Sequence, residues 1–190
     1  MLPLLISQPI IYTLSLLHDV LEWSRVQIGS IKPDKVNFIL SDLLAHNIAG
    51  VNSLAFSKNI GLISNFQKTL SIQADKKMIS TIMRNLLSNA IKFTPQGGTI
   101  TISSEEISLN GKKLIETTVT DTGIGMSEEK LNNLFKIEHN YRSTGTNNEA
   151  GTGMGLILCK EFIEKNNGTI KVKSELNVGS SFIFTVEASS

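Results

Sequence analysis

Three glycines at alternate positions, Gly151, Gly153 and Gly155, run directly into the amphipathic stretch "LILCKEFIEK", which stops at Asn167 and Gly168. Glycine serves where backbone amides must turn toward a ligand and a side chain would obstruct it. The unpaired N–H groups and positive dipole end of a helix start then favour an anion such as phosphate. A flexible hinge or close helix–sheet packing would use the same residues.

A second constellation lies on the periodic segment 75–93. Ile79, Ile82, Met83, Leu86, Ala90 and Phe93 share one apolar arc. At its border Asn85, Asn89 and Lys92 follow at i, i+4 and i+7, within an arc of roughly 60°. Each asparagine sacrifices a few tenths of a kcal/mol, roughly, relative to alanine in a helix. Capping or solvation of a neighbouring turn would explain one of them. Two with a lysine suit a magnesium–triphosphate group: amide oxygens are hard, neutral ligands that add no repulsion, and the ammonium neutralises a phosphate oxygen.

The third is "DTGIGM", residues 121–126, directly after the strand-like "TTVT". A carboxylate at a strand end accepts a hydrogen bond from an exocyclic amine such as that of adenine, and Gly123 and Gly125 would let a flat base approach the main chain. Asp-Thr-Gly is also an ordinary turn after a strand. The Gly-Lys-Ser/Thr phosphate loop, the G-x-G-x-x-G dinucleotide spacing and the HRD and DFG set of eukaryotic kinases do not occur.

These segments require a particular frame. "KVNFIL" reads as a strand, Ser41 as an N-cap, "DLLAHNIAGVNSLAFSKN" as a helix, and "IGLISNF" and "LSIQ" as short strands. The helix 75–93 is closed by Pro95 and the Gly97-Gly98 turn; "TITISSEE" and "KLIETTVT" form a hairpin about Asn110-Gly111. Residues 138–150 lack any period and read as a mobile loop. The glycine-led helix and the strands "TIKVKS" and "SFIFTV" complete an α+β sandwich, a mixed sheet with helices on one face.

Near the N-terminus Ile10, Leu14, Leu17, Leu21 and Ile28 make a short heptad seam, ending at Gly29 and Pro33, so a boundary falls near residue 30. The chain's 190 residues suffice for one proper core. A net charge of +1 leaves no global field for nucleic acid or anionic membrane, so an anionic ligand needs a local site. The single Cys159 excludes an internal disulfide framework and a cysteine-built zinc site, and suits a reducing compartment. The apolar opening is interrupted by Pro3, Gln8 and Pro9 and reads as neither a membrane span nor an export signal.

In order, "RNLLSNAIKFT" (84–94), "DTGIGM" (121–126), "LNNLFKIE" (131–138) and "GTGMGL" (151–156) resemble the N box, first glycine box, F box and second glycine box of the GHKL ATPases, specifically the catalytic and ATP-binding domain of bacterial sensor histidine kinases. The resemblance covers about residues 31–190 and implies a two-layer Bergerat-type fold. Residues 1–30, with "LLHDVLEWSRVQIG", resemble part of the dimerisation and phosphotransfer hairpin. It implies that Asn89 holds Mg²⁺ with help from Asn85, that Lys92 touches phosphate, and that Asp121 binds the adenine amino group. Gly123, Ile124, Gly125 and Met126 would shape the base pocket; Gly151, Thr152, Gly153, Met154, Gly155 and Leu156 would line the triphosphate side. Residues 126–150 would form the ATP lid, with Phe135 as its aromatic and Arg142 as a phosphate contact, and Thr185 would stand near the adenine water network.

Two departures matter. Met154 replaces the usual leucine, a volume-conserving change. The family's phosphoacceptor run, His-Glu/Asp followed by Leu-Arg-x-Pro-Leu, is missing; His18-Asp19 lacks its arginine and proline, and His46 and His139 have no acidic successor. The resemblance therefore implies a cytoplasmic ATP-dependent histidine kinase domain whose acceptor histidine lies outside this chain and whose phosphoryl group passes to a response-regulator receiver aspartate. The intact protein would be a homodimer. A nucleotide-binding regulatory module and an anti-sigma-factor-type serine kinase are the alternatives.

Overall fold

The structure, a computed structural model, describes residues 17, 20–25, 28–29, 32–136, 145–147 and 153–189. Its centre is a five-stranded sheet in the order β2-β4-β5-β7-β6. β2 (Gly61–Phe66) runs parallel to β4 (Thr99–Leu109); β5 (Lys112–Asp121), β7 (Gly179–Glu187) and β6 (Ile170–Glu175) follow antiparallel. The expected β4–β5 hairpin turns on Asn110 and Gly111 at φ 51° and 76°, the two positive φ values a tight two-residue turn demands. β1 (Lys35–Ile39) and β3 (Ser71–Asp75) form a separate antiparallel pair, joined to the last strand by an Ile72–Ala188 bridge.

Alternation decides which face is covered. Ile100 and Ile102 of β4, Ile115, Thr117 and Val119 of β5, and Phe182, Phe184 and Val186 of β7 are all buried, whereas most of their alternate neighbours are hydroxyls and charges, Leu114 and Ile183 excepted. Against the apolar rows lie three helices: α1 (Leu40–Ser57), α2 (Lys76–Phe93) and α4 (Gly155–Lys165). α2 is central. Its Ile79, Ile82, Met83 and Leu86 are wholly buried, each side chain stabilising the fold by about 1.5–3 kcal/mol relative to exposure. The short α3 (Glu128–Asn133) follows the first glycine-rich loop. This is the α+β sandwich the sequence led us to expect.

Two local readings change. Ser41 is not an N-cap: β1 passes directly into α1, Ile39 occupies the cap, and the Ser41 hydroxyl donates to the Lys68 carbonyl at 2.9 Å. Phe93 leaves the core arc and is only half-buried, at the last turn of α2. On the N-terminal segment, where residues 20–25 are helical, Leu17, Leu21 and Ile28 are 55%, 50% and 75% exposed, so this chain's own domain does not cover them; Ile10 and Leu14 lie outside the described residues.

Candidate functional site

The cleft originates in how α2 and α4 are locked together. Asp75 caps α2, its Oδ1 accepting from the Lys77 and Met78 amides at 2.9 and 3.0 Å, which satisfies two otherwise orphaned donors. The Asp75 amide in turn donates to Oδ1 of the fully buried Asn166 at 2.7 Å, and Asn166 Nδ2 donates to the Phe162 carbonyl at 2.8 Å. The end of α4 is thereby pinned to the beginning of α2. Farther along, the Cys159 thiol faces the Ile82 carbonyl at 3.9 Å, and at the far end Gly155 meets Asn85. The two helices are antiparallel, in one register over their shared length.

That register brings the N-terminus of α4 to the amide row of α2. A Cβ on Gly155 would stand 3.0 Å from Asn85 Oδ1, so only glycine leaves this approach open. The Met154 side chain does not cap the helix and no acid occupies its first turn, so the positive dipole end lies beside the row. Asn89 is one turn farther along α2, half-buried like Asn85. Lys92 is buried apart from its tip, its Nζ 4.8 Å from the centre of the Phe93 ring.

The acidic strand end joins from the sheet. Asp121 closes β5 between Ile100 of β4 and Ser180 of β7, on the helix-covered face. Its Oδ1 accepts from the Gly123 amide at 2.8 Å. Burial pushes the carboxyl pKa up to about 6, although the backbone N–H groups of Gly123 and Ser180 draw it back. The following loop is tied to α2, for the Ile124 amide donates to the Phe93 carbonyl at 3.1 Å.

The first glycine box is closely packed. A Cβ on Gly123 would lie 2.5 Å from Asp121 Oδ1 and 2.6 Å from the Phe93 carbonyl oxygen, and one on Gly125, at φ 62°, would collide with the Glu175 carbonyl. Both glycines permit close approach of neighbouring chain, Gly123 beside the Asp121 carboxylate and the end of α2, Gly125 beside the end of β6. Ile124 is partly exposed, Met126 and Met154 are buried, and Leu156 packs against the core. Phe135 is half-buried and leans toward α4, with Lys160 Nζ 5.9 Å from its ring centre. Gly153 has φ 75° just before α4. Arg142, Gly151 and Thr152 lie outside the described residues.

Thr185 does not belong to the cleft. It is five residues along β7 from Ser180, the partner of Asp121, and the odd count puts it on the opposite face, where its hydroxyl meets that of Thr169 at 3.0 Å. Ser180 is the strand residue beside Asp121, and no sequence signal marked it. The sequence reading also missed Lys58. Its buried ammonium donates to the Ile91 carbonyl at 2.8 Å and the Thr146 hydroxyl at 2.7 Å, while the Thr146 amide donates to the Lys92 carbonyl at 3.0 Å.

Three segments far apart in sequence thus meet at one border of the helical layer: a glycine-led helix start, a row of amides and a buried carboxylate. Residues 74–190 match the model of the histidine kinase-, DNA gyrase B- and HSP90-like ATPases. The chain belongs to this family. It is 33% identical to the hybrid signal transduction histidine kinase B of Dictyostelium discoideum over 92% of its own length and 9% of the relative's. It is 32% identical to the non-motile and phage-resistance protein of Caulobacter vibrioides, over 92% and 21% respectively. The chain therefore spans between 9% and 21% of these curated relatives. Among solved structures, the catalytic domain of histidine kinase ThkA superposes with a TM-score of 0.69 at 26% identity, covering 81% of this chain and 95% of that one.

As a member of this family the chain carries an ATPase-type nucleotide fold, and its residues fit the group. Among the described residues no three His, Cys, Asp or Glu side chains gather as a metal site. No helix of the described residues is long and apolar enough to cross a membrane.

Proposed function

We propose that the chain is the Mg-ATP-binding catalytic domain of a two-component sensor histidine kinase. The observation that carries this reading is the α2–α4 register, which sets the glycine-led start of α4 against Asn85 while the loop after Asp121 is bonded to the end of α2. The ionised Asp121 accepts a hydrogen bond from the exocyclic amine of adenine. The phosphates extend along the amide row toward the α4 N-terminus, where backbone N–H groups and Lys92 offset their charge. Asn89, helped by Asn85, holds Mg²⁺, which supplies neutralisation of charge on the phosphates.

The reaction is transfer of the γ-phosphoryl group: a bond from phosphorus to an imidazole nitrogen forms, the bond to the bridging oxygen breaks, and ADP departs. The protein's part is positioning and preorganised charge stabilisation. The acceptor histidine is supplied by a hairpin segment of the kinase, and a receiver-domain aspartate takes the phosphoryl group next. In the intact protein this domain works in the cytoplasm as part of a homodimer.

Titration with a fluorescent ATP analogue, with and without Mg²⁺, tests the pocket. Affinity should require Mg²⁺ and fall about tenfold or more in both Asn89→Ala and Asp121→Ala. Unchanged affinity in both variants would remove the pocket. Acid-labile phosphate on an added histidine-bearing hairpin tests the transfer; acid-stable phosphate on serine would point to the other kinase class.

A further inference from the structure

The five-stranded sheet ends differently at its two edges. β6 carries Lys171, Lys173 and Glu175, all exposed, charges of the kind that keep a free strand from pairing with another chain. β2, "GLISNF", carries neither charge nor proline, and its register with β4 runs unbroken from Gly61–Thr99 to Phe66–Ser104. The Gly61 amide donates to the Gly98 carbonyl at 2.9 Å. By alternation Gly61, Ile63 and Asn65 address β4, while the N–H and C=O groups of Leu62, Ser64 and Phe66 point away from the sheet. Among the described residues no strand pairs with that side. Beside this edge Phe56, in the last turn of α1, is 82% exposed and adjoins a hollow of about 560 Å³ lined by Asn52, Ser53, Ala55, Ile60 and Leu62. From Asn47 to Gln67 the one charged residue is Lys58, which is buried.

We propose that this edge is a docking surface for a second copy of the chain, the two β2 strands pairing antiparallel about a twofold axis so that the two sheets join. Such an axis sets like residues near one another, so a charged edge would repel itself. This one has no charge to repel, and none with which to recognise a charged partner of another kind. Knob and hollow lie on the same surface, as a self-complementary contact requires: Phe56 of each copy enters the hollow of the other. The surface shares no residue with the exposed Leu17 and Leu21 of the N-terminal segment.

Sedimentation equilibrium on the whole chain carrying Leu17→Ser and Leu21→Ser, which silences that segment, tests the surface. A monomer–dimer equilibrium is expected. It should weaken about tenfold or more in Phe56→Ser, which removes the knob, and in Ser64→Pro, which removes an outward N–H and leaves the β4 ladder intact. Hydrogen exchange at the Leu62, Ser64 and Phe66 amides should slow as protein concentration rises. Circular dichroism checks that each variant is folded; if Ser64→Pro unfolds, Phe56→Ser and the exchange measurement decide. A chain that stays monomeric at millimolar concentration, a dimer indifferent to Phe56→Ser, growth beyond the dimer, or exchange independent of concentration would each overturn the proposal.

Discussion

Gly155 and Asn85 are in contact across the α2–α4 interface, so close that a Cβ on the glycine would lie 3.0 Å from the amide oxygen of the asparagine. The contact is set from the far ends of the two helices, where Asn166 bridges the α2 cap and the last turn of α4. A buried polar group at one end of the layer thus helps set which residues meet at the other.

Gly155→Ala should separate binding from folding. The methyl group pushes the Asn85 amide aside, while alanine's better helix propensity contributes up to about 1 kcal/mol. Affinity for an ATP analogue is expected to fall about tenfold with the melting temperature nearly unchanged. Wild-type affinity in this variant would mean that the position of the Asn85 amide is unimportant.

If Asp121 holds the adenine as proposed, nucleotide binding is expected to depend on pH. With its carboxyl at about 6, acidification through that value protonates the acceptor of the proposed adenine hydrogen bond. Affinity should fall below pH 6, approaching tenfold per pH unit, and Asp121→Asn should lose that dependence. Stability runs the other way: because the folded pKa lies above the unfolded value, the fold loses up to about 3 kcal/mol as pH rises from about 4 through 6. Thermal melts at pH 5 and pH 7.5 should therefore differ less for Asp121→Asn than for wild type.

Asn166→Ala should be among the most destabilising single changes. It removes a fully buried side chain and leaves the Asp75 amide without its acceptor, at a cost of about 2–3 kcal/mol. Urea unfolding measures the loss. Because the same bond sets the helix register, nucleotide affinity of the folded fraction should drop as well, although residue 166 lies at the opposite end of α4 from Gly155.

Lys58 acts as a cap on the last turn of α2 and as a tie to Thr146. Lys58→Met should lower stability by about 2 kcal/mol, since it leaves carbonyls at the negative end of the helix dipole without a cation. Hydrogen exchange at the Thr146 amide, bonded to the Lys92 carbonyl, should accelerate in Lys58→Met beyond what the global loss explains. Equal exchange at matched stability would detach Lys58 from that segment.

Much of the frame was legible because periodicity is a local property. The stripe from Ile79 to Ala90 repeats at helical spacing and is buried as read; Asn110-Gly111 takes the two positive φ values its hairpin needs. Ser41 misled because a hydroxyl before a helix is a cap only if its backbone turns there, and a neighbouring carbonyl claimed it instead. Thr185 misled because its distance from Asp121 depends on cross-strand register, which a single strand does not encode.

The amino-acid order by itself determined which residues could serve an anion and a base: the amides at 85 and 89, the carboxylate at 121, the glycine at 155, and the elements that carry them. Only the tertiary structure decided what these residues face. Asn85 acquires Gly155 as a neighbour through the buried Asp75–Asn166 bond, and Asp121 gains a raised pKa by closing a central strand under three helices. The physical reason is that helix and strand periods arise from interactions a few residues apart, whereas these relations depend on contacts between residues far apart in the chain, where packing and hydrogen-bond satisfaction, rather than local preference, select the partner.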